Sequence, residues 1–115
     1  MADDCIFCKI IRKEIPSEIV FEDDEILVFK DINPQAPVHL LLIPTRHIET
    51  LNDVDQSDQA LIGKLLSVAK HLAGEMGVSE GGYRVVVNCN KDAGQDVFHL
   101  HAHLLGGRKF SWPPG

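Results

Sequence analysis

The chain is poor in several features that mark specialised classes of protein. Its 115 residues include three cysteines, one tryptophan and one tyrosine. An odd, small cysteine count gives no framework of the kind that staples small secreted domains, and in a reducing cytosol it argues against a disulfide. No basic run is longer than Arg12-Lys13 and the formal net charge is -6. Such a chain lacks the broad positive footprint that neutralises successive phosphates of a nucleic-acid duplex, so a phosphate ligand has to be held locally. No apolar run approaches the roughly 20 residues that span a bilayer. The opening Met1-Ala2-Asp3-Asp4-Cys5 is acidic where a signal peptide is basic and then apolar. These absences predict a cytoplasmic protein with neither a membrane nor a duplex as partner.

What is present fits one compact α+β domain covering 1–115. The chain is 44% hydrophobic and 24% charged, without repeats, linkers or low-complexity tracts. Ile6, Phe7, Ile10 and Ile11 recur at helical spacing and predict a short amphipathic helix ended before Pro16. Ile19 to Phe21 and Ile26 to Phe29, separated by the acidic turn 22–25, predict two antiparallel strands. His39 to Ile43 is a continuous apolar strand, expected to be buried on both faces and stopped by Pro44. From Asp55 or Ser57 to Gly77, Leu61, Leu65, Val68, Ala69, Leu72 and Met76 recur every three or four residues and predict the one long helix. Tyr83 to Asn88 and Val97 to Leu105 complete a sheet of about five strands, with the loop 90–95 between them. A domain of this size gains from an oligomer interface.

Half of the six histidines fall in Phe98-His99-Leu100-His101-Ala102-His103-Leu104-Leu105. On a strand, period two puts all three imidazoles on one face and turns Leu100, Ala102 and Leu104 to the core. Same-face neighbours stand roughly 6.5 to 7 Å apart, so three rings can surround one phosphate-sized group or help to bind one metal ion. The spacing leaves both open. Cys5-Ile6-Phe7-Cys8 reads likewise as a metal half-site or as plain packing, and Cys89 stands alone.

With these residues, the chain resembles the histidine triad family, most closely its Hint branch of nucleoside phosphoramidases. The likeness runs through Ile10 to Pro16, Asp31 to His39, the histidine motif itself, Leu105-Gly106-Gly107-Arg108 and the terminal Trp112-Pro113-Pro114-Gly115. It implies an antiparallel sheet with helices, a homodimer, and a C-terminal tail reaching toward the neighbouring active site, where Trp112 influences substrate choice. The implied activity is hydrolysis of purine nucleoside 5′-phosphoramidates or aminoacyl adenylates to the monophosphate, AMP or GMP, without a catalytic cofactor. The central His101 would be the nucleophile, forming a covalent nucleotidyl-histidine; a neutral imidazole with a pKa of about 6.5 suits that role at neutral pH. His103, where transferases of the family carry glutamine, favours a hydrolase.

Further roles follow from the same resemblance. His39 would tune the protonation of His101. Asp31 would hold the ribose hydroxyls, as an acceptor-only carboxylate can, while Ile6, Phe7, Ile10, Phe29 and Ile32 would wall the base. Asn88 and the turn Gly94-Gln95-Asp96 with Val97 would approach the phosphate, with N–H groups and His103 holding its oxygens. Asp96 stands where some members carry serine; an aspartate there would either repel the phosphate, or protonate a leaving amine or favour a cationic leaving group. Cys5, Cys8, His47 and His99 match the two-cysteine, two-histidine set of zinc-bearing members, a structural zinc site. Two other classes of function are weighed against this one: a nucleotide-binding regulatory module with incidental turnover, and a metal-dependent hydrolase using His99, His101 and His103 as ligands.

Overall fold

The computed structural model describes residues 4–115. Helix α1 (Ile6–Ile11) is followed by strands β1 (Ile19–Glu22), β2 (Ile26–Lys30) and β3 (Val38–Pro44). Helix α2 (Gln59–Glu75), strand β4 (Tyr83–Val87) and strand β5 (Ala102–Gly106) complete the order. The strands form one antiparallel sheet in the order β1-β2-β3-β5-β4. The α+β class, the strand number, the long helix and the short N-terminal helix all agree with the sequence reading.

Local chemistry explains where the elements begin and turn. Asp23 closes the β1–β2 hairpin by accepting the N–H groups of Glu25 and Ile26, both at 2.9 Å, the usual way an aspartate stabilises a turn. Asp55 caps a 3₁₀ turn (Gln56–Asp58) in a capping box, and this turn leads into α2. The expected start at Asp55 or Ser57 thus falls on the 3₁₀ turn, and α2 itself begins at Gln59.

Alternation along the strands divides the interior in two. Ile26, Val28, Leu40, Leu42, Ala102 and Leu104 face α2 and pack on Leu65, Val68, Ala69 and Leu72. The opposite face gathers Leu27, Phe29, Leu41 and Ile43 with Phe7 and Ile10 of α1. As expected, β3 is buried on both faces. The pairing of Phe29 with Leu41, Leu41 with His103 and His103 with Val86 makes one transverse row on the α1 side. One imidazole thus stands in line with a row of apolar side chains.

Two expectations are corrected here. Pro44 is the last residue of β3 rather than the residue that stops the strand after Ile43, and it pairs with Ile26. On the other side of β3 the ladder to β5 has already ended at Leu42 and Ala102, so no partner there needs the N–H that proline lacks. The final strand begins at Ala102, not at Val97. Residues 97–99 form a bend, and Leu100 N–H is held by the Ile48 carbonyl at 2.7 Å. Alternation of side chains continues through His99 and His101 without a ladder.

Gly106 is needed for a close approach between layers. A Cβ added there would lie 2.9 Å from Val78 Cβ, and Val78 is buried. Gly106→Ala is expected to lower stability by about 1–3 kcal/mol through overpacking, measured by urea unfolding; an unchanged midpoint would show that Val78 moves aside freely.

Candidate active site

Each histidine of the motif makes a different hydrogen bond, and these bonds fix where its protons lie. His99 is fully buried, and its Nε2–H donates to the Pro44 carbonyl at 2.8 Å. Its Nδ1 is therefore the lone-pair nitrogen. His101 is 3% exposed and donates its Nδ1–H to the His99 carbonyl at 2.8 Å, because a carbonyl only accepts. That leaves the lone pair on Nε2, which lies 3.9 Å from an Asp96 carboxylate oxygen. His39 accepts the Gln35 N–H at Nδ1, 3.0 Å away, so it carries its proton on Nε2. That proton faces His103 Nδ1 at 2.9 Å, with Asp31 Oδ2 at 3.4 Å. The neutral His103 then bears its own proton on Nε2.

Burial sets the charge of His39, His99 and His103. Desolvation pushes the pKa of His99 down to about 4. It also lowers those of His39 and His103, with neighbouring imidazoles adding to the effect on His103 and the Asp31 carboxylate opposing it in both. Neutral rings at neutral pH follow. Phe7 stands edge-on to His99 and His101, with centroids 5.9 and 5.1 Å away, and to Phe29 at 5.5 Å. Phe7 thus bridges the two buried imidazoles and Phe29.

A cavity of about 300 Å³ opens over this arrangement. Ten of the expected nucleotide residues line it: Ile6, Phe7, Ile10, Phe29, Asp31, Ile32, Asp96, Val97, His101 and His103. Asp31 also accepts the Asn33 N–H at 2.8 Å. Asn88 lies just beyond β4 and does not line the cavity, nor do Gly94 and Gln95. Gln95 is buried and braces its loop, accepting from Asn90 N–H and donating to the carbonyls of Glu49 and Val97. Four lining residues were not anticipated: Ile15, Pro16, Ser17 and Leu41. Leu41 was legible as the site-face neighbour of Phe29, whereas the turn 15–17 carried only a helix-stop signal. Among the described residues, Ser17 Oγ is the buried side-chain polar atom without a hydrogen-bond partner.

A second cluster adjoins the first. Cys5, which caps α1, Cys8 within it, His47 after β3 and His99 bring one donor atom each to within 4.8 Å of one another. His99 Nδ1 lies 3.4 Å from Cys5 Sγ, 3.5 Å from Cys8 Sγ and 3.2 Å from His47 Nδ1, and Cys8 Sγ lies 3.2 Å from His47 Nδ1. Tetrahedral zinc, with bonds of about 2.0–2.3 Å, separates its donors by roughly 3.3–3.8 Å. The donor set and its spacing fit such an ion. The same geometry argues against an open metal held by His99, His101 and His103, since both ring nitrogens of His99 are turned elsewhere.

Comparison with known proteins agrees with this architecture. The HIT domain family model matches residues 12–110. The chain is 50% identical over 108 residues to the purine nucleoside phosphoramidase of Escherichia coli strain K12, covering 94% of this chain and 91% of that protein. It is 56% identical over 115 residues, the full length of both, to an uncharacterized HIT-like protein of Synechocystis. The crystal structure of a HIT family hydrolase from Legionella pneumophila superposes with a TM-score of 0.96 at 56% identity, covering 97% of this chain and all of that one. The protein belongs to the HIT domain family. It is an enzyme, a hydrolase.

The lowered histidine pKa values have a consequence for stability. An unfolded histidine titrates at roughly pH 6.5, while His39 and His103 bind protons less readily in the fold. Their contribution is complete above that pH and declines as pH falls through the native values. Urea unfolding is expected to give stability falling from about pH 6.5 downward, with a shallower decline in His39→Gln; identical slopes would exclude His39 as a source.

Proposed function

We propose that the enzyme cleaves purine nucleoside 5′-phosphoramidates, or aminoacyl adenylates, to the nucleoside monophosphate through a covalent nucleotidyl-histidine on His101. The observation that carries this reading is the His101 tautomer: with Nδ1–H on the His99 carbonyl, Nε2 is an unprotonated nucleophile beside the cavity. The phosphoramidase name of the Escherichia coli relative supports the substrate class.

In this scheme the base lies among Ile6, Phe7, Ile10, Phe29 and Ile32, and Asp31 accepts from the ribose hydroxyls. Nε2 of His101 attacks the α-phosphorus, and the bond from phosphorus to nitrogen, or to the acyl oxygen, breaks. The Nε2–H of His103, oriented through His39 and the Gln35 N–H, stabilises charge on a nonbridging oxygen. Asp96, 83% exposed at its side chain, stands at the mouth and relays a solvent proton to a departing amine. Water then attacks phosphorus, releases AMP or GMP and restores the imidazole. No catalytic cofactor enters the scheme.

The reading extends to the second cluster, to assembly and to location. Cys5, Cys8, His47 and His99 would hold a structural zinc, which when bound supplies a cross-link between α1, the segment after β3 and the histidine segment. A homodimer in the cytoplasm is the accompanying proposal, on the strength of the family resemblance. The tail packs back on its own β4, where Arg84 donates to the Ser111 carbonyl and Arg108 stacks over Phe110 at 4.2 Å.

His101→Ala is expected to reduce turnover of an adenosine phosphoramidate by at least about 10³-fold, as loss of a nucleophile does, with the protein still folded by circular dichroism. Rapid quench with labelled substrate should trap an acid-labile phosphohistidine in the unaltered enzyme. Full turnover by the variant would refute the mechanism, and tight AMP binding with negligible turnover in the unaltered chain would make the site a regulatory module. For the metal, elemental analysis of protein purified without chelator should give one zinc per chain, and chelation should lower Tm. An unchanged Tm with no bound metal would return the cysteines to plain packing.

A further inference from the structure

One residue belongs to both clusters. His99 turns its Nδ1 toward Cys5, Cys8 and His47, while its backbone carbonyl holds the Nδ1–H of His101 at 2.8 Å. Phe7 makes a second link. It lies between the two cysteines on α1 and touches the rings of both His99 and His101.

Side-chain packing holds α1 against the sheet through Phe7 and Ile10, but the segment before β5 lies outside the strand ladder. Helix α1 is six residues long, too short to be stable on its own helical hydrogen bonds. His101 precedes the first ladder residue of β5, and the chain bends at 97–99. What ties this segment down is the Leu100 N–H on the Ile48 carbonyl and the His99 ring on the Pro44 carbonyl. Either nitrogen of a neutral imidazole can carry the proton, and the choice is set by the partner of the other nitrogen. The reactive tautomer of His101 therefore depends on where the His99 carbonyl is.

We propose that Cys5, Cys8 and His47 are positioning residues for the reaction: gathered on one zinc ion with His99, they immobilise the His99 carbonyl and Phe7, and so keep His101 Nε2 unprotonated and facing the cavity. The catalytic consequence rests on His101 being the nucleophile; the structural consequence does not. A set of donors that merely strengthened the fold would leave the His101 tautomer unaltered, which separates the two roles.

The test compares zinc-loaded and chelated protein, labelled with ¹⁵N in its histidines, by long-range proton–nitrogen NMR. Zinc-loaded protein is expected to hold His101 in the single Nδ1–H form, and the zinc-free protein to exchange between both forms. In parallel, kcat for the adenosine phosphoramidate should fall by roughly 10- to 100-fold, the usual effect of removing orienting partners, with KM changing much less. Cys5→Ser leaves three donors in place and gives a second comparison if complete chelation unfolds the chain. Cys8→Ser should reproduce the mixed tautomers, and Cys8→His with zinc restored should recover the single form. A lone Nδ1–H form in the folded zinc-free protein or in Cys5→Ser would overturn the proposal, as would failure of the chain to take up stoichiometric zinc. Turnover surviving in His101→Ala would instead refute the nucleophile assignment, while the imidazole spectra would still decide whether the cluster holds that ring.

Discussion

The site depends on one short hydrogen bond, from His101 Nδ1–H to the His99 carbonyl at 2.8 Å. Because a carbonyl cannot donate, the bond determines both the tautomer and the direction of the ring, leaving the lone pair on Nε2. It forms where the chain has not yet joined the ladder, one residue before β5 begins at Ala102. A carbonyl engaged with a neighbouring strand would be less free to serve a side chain two residues on. The end of the ladder at Ala102 is thus part of the site's design.

The rest of the fold supplies what that bond needs. Both faces of the sheet are covered, by α2 on one side and by α1 on the other. The apolar row from Phe29 through Leu41 to Val86 runs past His103 on the α1 side, so the imidazoles stand among groups that solvate charge poorly. Desolvation then favours the neutral forms of His39, His99 and His103, and a neutral ring with a fixed tautomer has one donor and one acceptor in known places. His39 and His103 make a relay from a backbone N–H to a donor facing the cavity.

Much of this was legible in the residues. The three imidazoles were placed on one side by period two, and the long helix by its apolar spacing, with Asp55 capping the 3₁₀ turn that leads into it. Sequence pattern reports side-chain direction, however, and says little about which backbone groups are paired. That is why the strand was extended back to Val97: His99 and His101 alternate as strand residues do, while the Leu100 N–H between them bonds to the Ile48 carbonyl after β3. Pro44 was misplaced for a related reason, since the rule against proline in a central strand concerns the partner on each side, and that partner is a fact of register. Ile15, Pro16 and Ser17 entered the cavity through the path of the chain after α1, which no periodicity encodes. Gln95 shows the converse. Its neighbours face the cavity, yet its amide is used to hold the loop together.

A chain with a net charge of -6 must solve a further problem if it is to handle a nucleotide phosphate. Long-range attraction is absent, and buried cationic histidines would be expensive to maintain in this apolar setting. Neutral donors avoid both difficulties: an imidazole N–H aimed at the oxygen where charge develops is effective when water is excluded, without requiring a full positive charge beforehand. The arrangement has a cost in precision. A point charge attracts from many directions, whereas an N–H acts along one line, so each ring has to be oriented by a partner at its far nitrogen. Gln35 does this for His39, His39 for His103, and the His99 carbonyl for His101. Neutrality therefore explains why the histidines occur as a linked set rather than singly, and why the alignment of each depends on the residue behind it.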